Sequence, residues 1–195
     1  MEKLILKKNK VRLEQIKYNF NKLLNFVDKI YIINLKERDD RLKQVMKQVK
    51  DYNIKNYKIY SGLKPKFEEI DPIIYKNYSL HLCSNKKKYI IGATGCKLSH
   101  REIIGESIDN NYNFILILED DFELSDNFLS RLNNFLEKIK SLEWDMLYLG
   151  GNFKGKPIND YCIKTNQKNI YRCKNVACTH SYILSKRLFK KVYTE

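Results

Sequence analysis

Apolar positions in this chain gather into short continuous runs separated by stretches with helical spacing. Phe114-Ile115-Leu116-Ile117-Leu118 runs without a break into Glu119-Asp120-Asp121. An apolar run of that length predicts a strand buried on both faces, the kind that parallel sheets use. Lys29–Leu35 (KIYIINL), Lys55–Ser61 (KNYKIYS) and Trp144–Leu149 (WDMLYL) predict three more strands, and Asn169–Cys173 and Ala177–Leu184 predict two further ones. Leu42, Val45, Met46 and Val49 fall at helical spacing behind Asp39, which suits an N-cap. Gly92-Ala93-Thr94-Gly95 reads as a turn before a helix from about Cys96 to Asp109, with Leu98, Ile103, Ile104 and Ile108 partly periodic. Phe128, Leu129, Leu132, Phe135, Leu136 and Ile139 mark a strongly amphipathic helix, and Ser185 caps a last one. Pro65–Asn85, interrupted by Pro72, reads as loops with a short helix, and Lys154–Lys168 reads as a polar loop. The first 27 residues carry Leu13, Ile16, Phe20, Leu23, Leu24 and Val27 at helical spacing, a basic amphipathic extension packed on a main domain over 28–195. The order β-α-β-(irregular)-α-β-α-β-β-β-α predicts an α/β fold with a mostly parallel sheet flanked by helices.

Acids packed at the end of a buried strand repel one another and resist desolvation, so they belong at an open edge. In open α/β sheets that edge is where ligands bind. In an extended segment Glu119 and Asp121 share one side and Asp120 takes the other. Two oxygen ligands on one side suit a hard divalent ion bridging to phosphates. The plainer alternative is a solvated loop leading to a helix cap at Ser125 or Asp126. Asn34, Arg38 and Arg41 follow the first strand, where arginines can grip phosphate oxygens bidentately or simply pair with Glu37 and Asp40. Cys96 and His100 stand four apart on a helix, a spacing open to a metal pair, but no further soft ligand lies near them in sequence, so a packed helix face is favoured. His81 and Cys83 read the same way.

Composition narrows this picture. The chain has 195 residues, enough for one domain with a real core, and 43% of them are hydrophobic. The net charge of +14 favours anionic partners. Its lysines are dispersed; only Lys86-Lys87-Lys88 forms a tight run, which reads as a loop. No nucleic-acid-binding module accompanies the charge, so a nucleic-acid binder ranks last among the readings. The five cysteines are odd in number and form no CxxC pair. With no secretory segment and no run long enough to span a membrane, free thiols and a cytoplasmic location are expected.

Four segments in order, IYIINLKERDDRLKQV (30–45), GATGCKLSH (92–100), ILILEDDFEL (115–124) and WDMLYLGG (144–151), with ACTHSYILSKRLFKKV (177–192) behind them, resemble glycosyltransferase family 25, which includes lipopolysaccharide and procollagen galactosyltransferases. The resemblance runs from about residue 29 to the end. It implies a GT-A, Rossmann-like fold and inverting transfer of a hexose (galactose or glucose) from a UDP-sugar to a hydroxyl of a glycan or a collagen-like hydroxylysine, usually with Mn²⁺ or Mg²⁺. By motif position Asp121 is the metal ligand, with Glu119 as a second, water-bridged ligand or a ribose contact, and Asp120 lies beside them. Asn34, Leu35, Arg38 and Arg41 match the opening motif next to the nucleotide, and Gly92, Gly95, Ser99 and His100 match the glycine–cysteine–serine–histidine segment. Two departures stand out. Ala93 replaces a glutamate that members commonly carry, and the chain ends at Glu195 where relatives continue toward the acceptor side. A truncated domain, or an inactive relative that binds nucleotide or sugar, is therefore the second reading. Inversion needs a base to take the acceptor proton. Asp145 and His180 are the candidates, each also open to a purely structural role.

Overall fold

The computed structural model describes residues 25–76, 84–124, 135–150, 162–168, 170–173, 176 and 179–194. The predicted N-terminal helix lies outside these residues up to position 24, as do His81, Cys83, Ser125, Asp126 and the helix positions before 135. The elements are β1 (Lys29–Asn34), α1 (Asp39–Asp51), β2 (Tyr57–Ser61), a 3-10 turn (Phe67–Glu69), α2 (Pro72–Tyr75), α3 (Lys86–Asp109), β3 (Phe114–Glu119), a helical stretch at 135–139, β4 (Met146–Tyr148), β5 (Cys162–Lys164), β6 (Tyr171–Cys173), β7 (Ser181–Ser185) and α4 (Lys186–Thr194).

The central sheet has the order β2-β1-β3-β7-β4. β1 is parallel to both β2 and β3, whereas β7 is antiparallel to β3 and to β4. Four of the five strands therefore run the same way, in keeping with the mostly parallel expectation, and the sheet is mixed only through β7, the reversed strand between β3 and β4. Side-chain alternation explains the continuous apolar runs. Ile30, Ile32, Leu116 and Leu118 meet Val45 and Val49 of α1 on one face. Tyr31, Ile115 and Ile117 meet Ile103 and Ile104 of α3 and Phe189 of α4 on the other. Both faces are covered along β1 and β3, so no charged residue interrupts the interiors of these two strands.

Several boundaries shift. Helix α3 begins ten residues before Cys96, with Asn85 as its cap accepting from the Lys88 N–H at 2.9 Å. The triple lysine and Gly92-Ala93-Thr94-Gly95 are thus helical, not loop and turn. A Cβ at Gly95 would sit 2.3 Å from the Leu63 carbonyl oxygen, so this glycine serves a close approach between helix and loop. Arg38, not Asp39, is the N-cap of α1; Asp39 and Asp40 occupy the first turn, where the helix dipole favours acids. A short hairpin, β5–β6, stands where polar loop was expected at 162–164, and its register sets Cys162 against Cys173. These two form a disulfide, which corrects the free-thiol expectation; Cys96 is free. Among the described residues no helix is long and apolar enough to cross a membrane.

Candidate active site

Because β1, β2 and β3 run parallel, Asn34, Ser61 and Glu119 reach the same edge of the sheet. The antiparallel β7 starts at that edge, so Thr179 and His180 arrive beside Glu119, whose N–H donates to the His180 carbonyl at 2.9 Å. Alternation along β3 sends Glu119 to the α3 side, with Ile117, and Asp120 to the α1 side, with Leu118. Asp120 accepts from Asn34 Nδ2 at 2.8 Å and from Arg41 at 2.6 Å, and its side chain is 10% exposed. The chain turns immediately after Glu119: the Phe122 N–H bonds to the Glu119 carbonyl at 3.1 Å. Strand alternation lapses there, so Glu119 and Asp121 do not share one side as expected. Asp121 is 51% exposed, with Arg41 3.6 Å away.

A cavity of about 600 Å³ opens over this edge. Of the residues expected at a donor site, Leu35, Arg38, Arg41, Gly92, Gly95, Ser99, His100, Glu119 and Asp120 all line it, and Asn34 stands behind Asp120. Asp121 and His180 meet instead in a neighbouring pocket of about 160 Å³ with Gly150. Asp145 is not brought to this end. It sits before the amino end of β4, paired with Arg187 at 2.8 Å, and its carbonyl accepts from the Ser185 N–H.

The cavity rim is basic. Arg38, Arg41, Lys64, Lys87 and Lys88 surround it. Arg38 is held bidentately by Asp40, Lys64 pairs with Glu37, and Lys87 pairs with Glu68. Lys64, Lys87 and Lys88 were not singled out as ligands from the sequence; the lysine run at 86–88 was visible, but its place on a helix pointing at the sheet edge was not. Ser99 is buried and fully used: it donates to the Gly95 carbonyl at 2.7 Å and accepts from the Leu63 N–H at 2.8 Å. It fastens the loop after β2, which carries Gly62 and Lys64 into the cavity wall.

The deepest part of the wall is a polar cluster. Glu119 Oε1 accepts from Thr179 at 2.7 Å, lies 3.3 Å from His100 Nε2 and 3.8 Å from Cys96 Sγ. His100 Nδ1 lies 2.7 Å from the Tyr182 hydroxyl. Burial alone would depress the His100 pKa, but its bonds with Cys96 and Glu119 outweigh that and push it up to about 9. The His100 bond, against the opposing effect of burial and helped by Thr179, holds Glu119 below the usual carboxylate range. Burial raises the Tyr182 phenol, which stays neutral. Thr179 and Tyr182 were missed from the sequence, since nothing in a strand pattern marks which side chain meets a helix histidine.

A hard divalent ion fits this edge in part. Both Asp120 oxygens are committed to Asn34 and Arg41, and Glu119 Oε1 is committed to Thr179 and His100. Asp121, more open to solvent, is the carboxylate best placed to take up an oxygen-preferring cation.

An α/β sheet whose parallel edge opens into a cavity with a basic rim and acidic floor has its cavity at the strand ends, the place where open α/β sheets bind ligands. Residues 27–195 match the family described as glycosyltransferase family 25 (LPS biosynthesis protein), and the chain belongs to that family. It is 28% identical over 130 residues to procollagen galactosyltransferase 1 of Danio rerio, covering 63% of this chain and 21% of that protein. A protein of Acanthamoeba polyphaga mimivirus with a provisional glycosyltransferase name is 30% identical over 154 residues, 73% of this chain and 41% of its own length. The inactive glycosyltransferase 25 family member 3 of Mus musculus is 28% identical over 134 residues, 63% of this chain and 22% of its own. The chain thus spans between about a fifth and two fifths of the length of these relatives.

Proposed function

We propose that this chain is a glycosyltransferase that moves a hexose, galactose or glucose, from a UDP-sugar to a hydroxyl of a glycan or collagen-like acceptor, with inversion and with Mn²⁺ or Mg²⁺, on a GT-A fold. The observation that carries this reading is the convergence of family-motif residues with a basic rim on one cavity at the parallel strand ends. The leaving group is a nucleoside diphosphate, so negative charge grows on its oxygens as the sugar departs. Arg38, Arg41, Lys64, Lys87 and Lys88 are placed to draw that group in and stabilise the charge. Asp120 with Asn34 fixes the direction of Arg41. A divalent ion held by Asp121, with Glu119 reaching it through water or contacting the ribose, would supply Lewis-acid neutralisation of the diphosphate. His180, beside Asp121 in the adjoining pocket, is the candidate to take the acceptor proton. Asp145 is left to structure, since Arg187 holds it at the other end of the sheet.

The test is calorimetric titration of UDP with and without Mn²⁺, followed by UDP-sugar turnover. Binding that needs Mn²⁺ and is lost in Asp121→Asn supports the donor site; unchanged binding and turnover in that variant overturns the assignment. A second reading, a donor-binding chain without transfer, draws on the mouse relative named as inactive and on Ala93 in place of the expected glutamate. It requires UDP binding with no turnover of any UDP-hexose.

A further inference from the structure

We infer that Cys96, His100 and Glu119 form a binding site for a thiophilic divalent cation, Zn²⁺ by its chemistry, with an open coordination position facing the cavity. One sulfur, one nitrogen and one oxygen ligand atom lie within 4.8 Å of one another. Cys96 and His100 stand one helical turn apart on α3, and Glu119 is brought to them by β3, which sequence spacing alone conceals. Tetrahedral zinc, with ordinary Zn–N, Zn–O and Zn–S bonds, places nitrogen and oxygen about 3.4 Å apart and sulfur and oxygen about 3.6 Å apart. Here those separations are 3.3 Å and 3.8 Å. The sulfur and nitrogen lie within 4.8 Å of each other, so an ion closes the set by drawing Cys96 toward His100 while Glu119 keeps its place.

The surroundings match what a zinc histidine requires. His100 is 8% exposed, and its Nδ1 faces the Tyr182 hydroxyl at 2.7 Å, a partner that fixes the ring and directs Nε2 at Glu119. Thr179 donates to the Glu119 oxygen in turn. All three ligands line the cavity, so the fourth position is reached from solvent. The mixed sulfur–nitrogen–oxygen set favours zinc over manganese or magnesium, which prefer oxygen throughout. Under the donor reading, on which this consequence alone rests, zinc here takes Glu119 away from the nucleotide side and inhibits transfer.

The experiment titrates Co²⁺ as a zinc surrogate into the full chain, with the Cys162–Cys173 disulfide left intact and Cys83→Ser and Cys178→Ser removing the other thiols. One equivalent should produce a thiolate-to-cobalt absorption band, which Zn²⁺ abolishes and excess Mn²⁺ does not. Cys96→Ser, or Cys96→Ala, should remove the band while circular dichroism shows the fold retained. Tyr182→Phe should leave the band but weaken affinity roughly 10- to 100-fold, as loss of an outer-shell partner does. No band, or a band that survives both Cys96 variants, overturns the site. UDP titrated into the same samples keeps the two readings apart: absent UDP binding beside an intact cobalt band fells the donor reading and leaves the zinc site standing.

Discussion

Two glycines on α3 have opposite jobs, although the sequence presents them as one turn. A methyl at Gly95 meets the Leu63 carbonyl oxygen at 2.3 Å, and that atom belongs to backbone that Ser99 holds in place. Gly95→Ala should therefore destabilise the protein by about 1–3 kcal/mol, the usual cost of overpacking. It should also disturb the loop bearing Lys64. A methyl at Gly92 meets nothing within 4 Å, and the residue lies within a helix. Gly92→Ala should stabilise by about 0.5–1 kcal/mol through the lower entropy of the unfolded chain. Urea unfolding of the two variants checks both signs; a stabilised Gly95→Ala would mean that α3 and the β2 loop are not packed as described.

Among elements, β1 and β3 were legible because strands buried on both faces write continuous apolar runs. The direction of β7 was not, since period-two alternation carries no polarity, and that direction is what delivers Thr179 and His180 to Glu119. The start of α3 was hidden because much of its buried surface is small or polar, with Thr94, Gly95, Ser99, His100 and Ser107 all inward. Such a face serves a site and close packing more than an oily core, and the apolar period fades. The same helix is tied to the sheet by Glu106, which accepts from Tyr31 at 3.0 Å and from Lys58 at 2.6 Å. Burial opposes the Glu106 charge, but Lys58 and Tyr31 together hold its carboxyl below the usual glutamate range. A carboxyl depressed by folding adds stability above its unfolded pKa and loses it as pH falls through the folded one. Stability should thus fall on acidification below about pH 4.5, and Glu106→Gln should flatten part of that fall. Denaturant midpoints from pH 7 to pH 3 measure it; parallel curves for both proteins would remove Glu106 from the account.

At the scale of the whole molecule, the excess positive charge was plain from composition, but where it acts was not. The fold gathers Arg38, Arg41, Lys64, Lys87 and Lys88 around one opening, from segments far apart in sequence. Other lysines lie at the opposite edge: Lys50 at the end of α1, and Lys55 ahead of β2. A field focused at the cavity and a field spread over the surface make different demands on these two groups. Removing Lys64 and Lys88 together, or Lys50 and Lys55 together, lowers the net charge by the same amount. If the cavity holds the diphosphate, Lys64→Ala/Lys88→Ala should weaken UDP about three- to tenfold, a modest loss because exposed charges are screened. Lys50→Ala/Lys55→Ala should leave UDP affinity within about twofold, since both lie beyond a Debye length of the opening at physiological salt. Calorimetry on the two double variants decides it. Equal losses would mean that net charge, rather than the arrangement at the strand ends, attracts the ligand, and the basic-surface reading would then displace the donor site.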